Sequence, residues 1–174
     1  MAYALTKKQH AYAKQLRSNI MAITKTQHPW SQYDIHDLMS DWGFGSSLRV
    51  LSIDDLHELK ELLSGQYKPH YTAFMRKTMD YAKATNTGIK ASYKQVCYIC
   101  ILYGGYCWYR KIRRNKWDER FQTWLKKYVK SDFAGFLTPD EARKAIYMLE
   151  REIVTTFGSV AFQQITGKQY QGKK

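Results

Sequence analysis

The chain repeats a series of helix-like segments at a nearly constant spacing, and this repeat constrains the fold more than any other feature. Three segments of the first half match three segments of the second half in the same order, at offsets of 86 or 87 residues. The matched segments are 6–16 with 92–102, 30–38 with 117–125, and 51–63 with 137–149. Similar segments at a fixed spacing indicate a repeated structural unit. The sequence therefore predicts two similar halves and an internal duplication; the alternative is that unrelated amphipathic helices resemble one another.

Most of the matched segments begin with residues that cap helices. Thr6 and Ser92 are each followed three residues later by Gln, which is the pattern of a capping box. Ser52 and Thr138 start the third segment of each half, and Pro139 suits a first helical position. Apolar residues then recur at helical spacing, and the sequence has no run of alternating β-branched residues. These signals predict an all-α protein of six to eight helices.

The pattern predicts two helical units joined by a helical linker. Residues 1–65 form the first unit and residues 91–158 the second. Between them, residues 66–90 contain a helix-like stretch over 70–85, followed by a polar, Gly-containing connection. Residues 159–174 carry a net positive charge and lose periodicity toward their end, so we expect a basic tail that frays.

The charge of the chain is concentrated in its second half. The 174 residues carry a net charge of +13, with 28 Lys and Arg against 15 Asp and Glu. Residues 1–87 hold 11 basic against 8 acidic residues, and residues 88–174 hold 17 against 7. A chain this basic is typical of proteins that bind an anionic partner. A composition that is 44% hydrophobic excludes a wholly disordered chain.

Within the second half, the stretch 109–130 is the candidate binding site. It holds nine basic residues against only Asp118 and Glu119. Arg can bind a phosphate through two parallel hydrogen bonds, Lys adds a point charge, and release of counterions favours the complex. The candidate nucleic-acid-binding residues are Arg110, Lys111, Arg113, Arg114, Lys116, Arg120, Lys126, Lys127 and Lys130. A basic face for an acidic protein and a merely solvated basic face are the alternatives.

Aromatic residues are interleaved with these cations. Exposed aromatic rings could stack on the bases of a single strand. However, Trp117, Phe121, Trp124 and Leu125 share one side of a helix. We therefore expect these side chains to pack inward while the cations face solvent.

The sequence offers no convincing catalytic or metal site. Cys97 and Cys100 have the spacing of a zinc pair, but a second pair of ligands is missing. In a continuous helix Cys107 would lie about 10 Å along the axis from Cys100, too far for one ion, although Gly104 and Gly105 leave a break open. We expect Cys97 and Cys100 to be buried, reduced and free of metal. The prediction is a non-enzyme without cofactors.

Targeting signals are also missing from the sequence. The first sixteen residues do not have the form of a signal peptide. The longest apolar stretch, residues 96–103, is too short for a membrane span of about 20 residues. The odd number of three cysteines is typical of a reducing compartment. We expect a soluble cytoplasmic protein that does not bind membranes.

Several of these positions resemble the GemA-like regulatory proteins of Mu-like phages. The resemblance covers residues 5–65 and 90–152, and 51–63 looks like that family's "LTD-x-EL…L" segment. In the second half it rests on a Gln followed by Ile and Leu, a Trp in a middle helix, and a closing "LT-x-x-[EQ]-A…I-x-x-L". These residues are Gln95, Ile99, Leu102, Trp124, Leu137, Thr138, Glu141, Ala142, Ile146 and Leu149. The resemblance implies a phage or prophage protein that modulates host transcription or DNA topology, with no established catalytic residues.

The residues and the resemblance together predict a non-catalytic regulatory or accessory protein that binds nucleic acid. DNA is the expected target, and the second half is the expected contact surface. The alternative is a basic adaptor that docks on an acidic host protein of transcription or DNA topology. If the resemblance holds, the protein acts in the cytoplasm of a bacterial host. The sequence leaves open the oligomeric state and whether the nucleic acid is single- or double-stranded.

Overall fold

All regular structure in the described part of the chain is helical, as the sequence predicts. The computed structural model describes residues 6–27, 32–45, 47–65, 67–85 and 87–170. The helices are α1 (Lys7–Gln27), α2 (Gln32–Asp41), α3 (Ile53–Ser64), α4 (Ala73–Ala84), α5 (Tyr93–Tyr109), α6 (Trp117–Val129) and α7 (Pro139–Thr166). Two short 3₁₀ turns, Arg114–Lys116 and Ala134–Phe136, lie on either side of α6. The chain divides into two compact units, Met1–Lys68 and Pro69–Lys174.

Four helices begin at capping boxes, which confirms the predicted helix starts. The hydroxyls of Ser52, Ser92 and Thr138 each accept a hydrogen bond from the backbone N–H three residues later. The side chain at that third position accepts from the N–H of the capping residue. Thr6 and Gln9 form the same pair of bonds, at 3.3 and 2.8 Å, before α1. These local bonds satisfy backbone donors that a helix end leaves without a partner.

In the first unit, α1 packs against α3. The buried face of α1 consists of Ala13, Leu16 and Ile20, with Thr24 at its end. On α3, the buried apolar residues are Leu56, Leu59, Leu62 and Leu63. Spacings of three and four residues place each set on one side of its helix, so the two apolar stripes are removed from water together.

In the second unit, α5 is the central helix and α7 packs along it. Helix α4 also packs on α5, and Met75, Thr78 and Ala82 are buried. The segment expected to be a linker therefore contributes its helix to the second compact unit. Spacing explains this outcome, because the three buried residues of α4 share one helical face.

The expectation that the chain frays after Gly158 is wrong for the residues that immediately follow it. Gly158 has φ 86° and kinks the helix, and α7 then continues to Thr166. Ala161, Phe162 and Ile165 are buried in this last part. Burial of these three apolar side chains stabilises a segment whose polar end obscures its periodicity in the sequence.

The two units share a helix plan. Helices α1 and α5 start 86 residues apart, as do α3 and α7, and in each unit the first of these helices packs on the second. Buried residues also recur at this offset: Leu16 and Leu102, and Leu63 and Leu149. The shared plan is compatible with an internal duplication, which stays a prediction.

Candidate nucleic-acid interface

Helix α6 separates its aromatic residues from its cations, as its pattern predicts. Trp117, Phe121, Trp124 and Leu125 are all buried, with at most 7% of their surface exposed. The ring of Phe121 stacks on Tyr103 of α5, with centroids 4.6 Å apart. The apolar face of α6 is therefore held against the core, and its opposite face carries the charge.

The nine candidate cations fall into two groups. Six are exposed: Arg110, Lys116, Arg120, Lys126, Lys127 and Lys130. The other three are half-buried: Lys111, Arg113 and Arg114. Burial lowers the pKa values of Lys111 and Arg113, because desolvation disfavours the charged form. Lys111, Arg113 and Arg114 are therefore less open to solvent than the other six cations.

Part of the positive charge is already paired with acidic or aromatic groups. Lys116 Nζ lies 3.3 Å from Glu119 and Lys126 Nζ lies 4.0 Å from Asp132. These pairs are well exposed, and exposed ion pairs contribute about 0–1 kcal/mol. The ammonium of Lys127 lies 4.8 Å from the centre of the Tyr128 ring. Such contacts hold the side chains loosely, so an incoming phosphate can compete for them.

Two lysines of this stretch adopt a backbone conformation that favours glycine. Lys111 has φ 57° and Lys130 has φ 56°, and in the described ranges no other residue except glycine has a positive φ. The left-handed region costs an L-residue about 1–2 kcal/mol. Both lysines follow a helix end, Lys111 near the end of α5 and Lys130 at the C-cap of α6. Backbone strain therefore coincides with a lysine at both positions.

A groove opens between α6 and its neighbours. Its volume is about 440 Å³. The main lining side chains are Tyr103, Tyr106, Arg120, Trp124, Lys127 and Tyr128. Of the predicted site residues, Arg120 and Lys127 both line this groove. They are seven residues apart, which places them on the same side of α6. The sequence pattern did not identify Tyr103 and Tyr106 as groove residues, because they come from α5 and their spacing of three is typical of any helix face.

The three cysteines lie on α5, which runs unbroken through Gly104 and Gly105. Cys100 and Cys107 are buried, whereas Cys97 is half-buried, so the prediction that Cys97 is buried is wrong. Burial, with a smaller effect of Cys97, raises the pKa of Cys100 to about 12. In the described part of the chain, no three His, Cys, Asp or Glu side chains converge as metal ligands would.

Comparisons with protein-family models, curated proteins and solved structures give no match for this chain. None of the helices in the described ranges combines the length and apolar character that a membrane-spanning segment needs. What the α6 surface binds is therefore inferred from its own charge, burial and shape.

Proposed function

We propose that this protein binds nucleic acid, with DNA as the expected target, in a non-catalytic regulatory or accessory role. The observation that carries the proposal is helix α6 with its flanking turns. Trp117, Phe121 and Trp124 are buried in the core, and six of the nine cations of residues 109–130 are exposed. A helix that is fixed against the core and carries exposed cations along its surface and at its two ends suits a polyanion such as a nucleic-acid backbone.

The strained backbone of the exposed Lys130 supports this proposal. Glycine would relieve it, as it does at Gly43, which lies 87 residues before Lys130 and has φ 75°. Residues held in sparsely populated backbone regions are concentrated at functional sites. A lysine kept in such a position fits a role for its charge.

The test is a titration of fluorescently labelled oligonucleotides, followed by anisotropy at several salt concentrations. Each phosphate contact contributes roughly −0.9 to the slope of log K against log salt on duplex DNA, and about −0.7 on a single strand. Between three and six contacts therefore predict a slope of about −2 to −5. The probes are a single strand and a duplex of equal length, so that both forms are measured.

Absence of binding at low salt to both probes would overturn the proposal. The basic adaptor that docks on an acidic host protein would then become the better account, and the resemblance to phage regulatory proteins would point the same way. Exposed lysines make cleaner test positions than Arg113 and Arg114, since burial of those two side chains couples their charge to folding.

A further inference from the structure

The groove beside α6 differs in its charge from a simple phosphate site. Arg120 and Lys127 line it together with Glu119 and Glu152, so the four formal charges cancel. Carboxylates repel a phosphate, but they accept hydrogen bonds from the amino groups of bases. Burial, and after it the nearby Glu152, raises the pKa of the Tyr106 hydroxyl. The lining therefore offers cations and acceptors side by side, which suits a base linked to a phosphate better than a phosphate alone.

Aromatic side chains form one wall of this groove. The ring of Tyr128 is half-buried, with its centroid 5.2 Å from that of Trp124. Trp124 lies in turn 6.0 Å from Tyr103, so the rings form a continuous series into the core. A base that stacks on Tyr128 would meet a ring that the core holds in place, which limits the entropy lost on binding.

Trp124 adds a second, independent observation. Only 7% of the surface of this residue is exposed. Its indole N–H makes no hydrogen bond within the part of the chain that the structure describes. Buried donors almost always find a partner, and Trp124 lines the groove. Because this nitrogen is itself buried, only a ligand acceptor that displaces the side chains covering it would supply the missing partner.

We propose that this groove binds an unpaired nucleobase, and that the α6 surface therefore prefers single-stranded nucleic acid to duplex. The inference rests on the proposed function and specifies that the nucleic acid bound is single-stranded. In a duplex the faces of the bases are stacked on each other, and only their edges are open to a protein. An unpaired base presents its face to Tyr128, while its neighbouring phosphates lie within reach of the exposed cations Arg110, Arg120 and Lys127.

The test uses a 15-nucleotide single strand with one 2-aminopurine, and a duplex of the same sequence. The variant is Tyr128→Leu, which keeps an apolar side chain but removes the ring. Stacking contributes enough per base that its loss should weaken single-strand binding roughly 5- to 100-fold. Duplex affinity should change less than about twofold, because phosphate contacts remain. The 2-aminopurine fluorescence should be quenched by wild type and not by the variant.

The matched control is Tyr147→Leu, which removes a tyrosine 46% exposed on α7, outside this groove. It should leave both affinities unchanged. Unquenched 2-aminopurine with wild type, or equal binding of Tyr128→Leu and wild type to the single strand, overturns the inference and leaves nucleic-acid binding intact. If neither probe binds wild type, the proposed function fails as well. Displacement of the strand by micromolar adenosine monophosphate would assign the groove to a free nucleotide and also overturn the inference.

Discussion

The two halves use the same pair of packed helices but place large and small buried residues on those helices in opposite ways. Ala13 of α1 corresponds to Ile99 of α5, whereas Leu59 of α3 corresponds to Ala145 of α7, and all four are buried. The larger residue is on α3 in the first half and on α5 in the second half. Cores tolerate such exchanges when total volume is kept. The comparison teaches that two halves can share a helix plan although different side chains fill their cores.

The halves differ more sharply on their surfaces. At the end of the middle helix the first half has Gly43 with φ 75°, and the second half has Lys130 with φ 56°, 87 residues later. Residues 109–130 add a net charge of +7 to the second half, from nine cations and two acids. The second half therefore combines a strained backbone at Lys130 with a concentration of like charges. This difference is the reason to place the binding surface there.

Thiol labelling reports on the core of the second half alone, because all three cysteines lie on α5. The reactive species is the thiolate, and a pKa raised from 9.0 to about 12 lowers its population near pH 8 about a thousandfold for Cys100. We expect Cys100 to react with iodoacetamide at least that much more slowly in the native protein than in urea, with Cys97 labelled first. Mass spectrometry of timed samples measures this. Equal labelling of all three native cysteines would show that the α5 core is open.

Substitutions at Leu59 and Ala145, which occupy corresponding positions in the two halves, should lower the free energy of unfolding by different amounts. Leu59→Ala should lower the free energy of unfolding by about 2–5 kcal/mol, because it leaves a cavity between α1 and α3. Ala145→Leu should lower it by about 1–3 kcal/mol, because the corresponding contact of the second half is already filled. Urea unfolding followed by circular dichroism measures both. A neutral Ala145→Leu would mean that the α5–α7 contact is looser than its burial indicates.

A substitution at Gly105 tests the packing of the last part of α7 on α5, which has no counterpart in the first half. A Cβ at this position would lie 2.5 Å from the Ile165 side chain of α7. Gly105→Ala should therefore lower the free energy of unfolding by about 1–3 kcal/mol, although Ala is the better helix former. The control is Asn19→Ala at the corresponding position of α1, which should change stability by less than about 0.5 kcal/mol. A stabilising Gly105→Ala would contradict the close packing of α7 on α5.

The smallest expected effect concerns the strained lysine at the end of α6. Lys130→Gly should raise the free energy of unfolding by about 0.5–1 kcal/mol, because glycine adopts a positive φ without strain. Lys126→Gly, within the same helix, is the matched control and should lower it by about 1 kcal/mol. Urea denaturation curves of the two variants show whether each substitution raises or lowers the free energy of unfolding. A loss of stability in Lys130→Gly would show that its backbone conformation is not strained.

The local features of the fold could be predicted from the sequence, whereas several tertiary features could not. Capping boxes involve residues three apart, so Ser52, Ser92 and Thr138 identified their helix starts directly. The burial of Ile165 depends on its close approach to the distant residue Gly105, which no short pattern encodes. The groove was missed for the same reason, because its walls come from α5, α6 and α7. Arg113 and Arg114 share the charge of the exposed cations, and only the packing shows that they are half-buried.

The central claim is that the second half carries the nucleic-acid surface, and charge removal matched between the halves tests it most directly. One variant replaces three exposed lysines at α6 with Gln, and the other replaces three exposed lysines of α1. The positions are Lys116, Lys126 and Lys127 in the first variant, and Lys7, Lys8 and Lys14 in the second. Both variants lose three positive charges, so nonspecific attraction falls equally. The measurement is the salt dependence of single-strand binding.

We predict that the α6 variant loses at least about tenfold in affinity at 0.1 M salt. Its log–log slope should flatten by roughly one unit for each phosphate contact removed. The α1 variant should keep its slope and stay within about twofold of wild type. Equal losses in the two variants would contradict the account, because binding would then follow total charge rather than the surface built around α6.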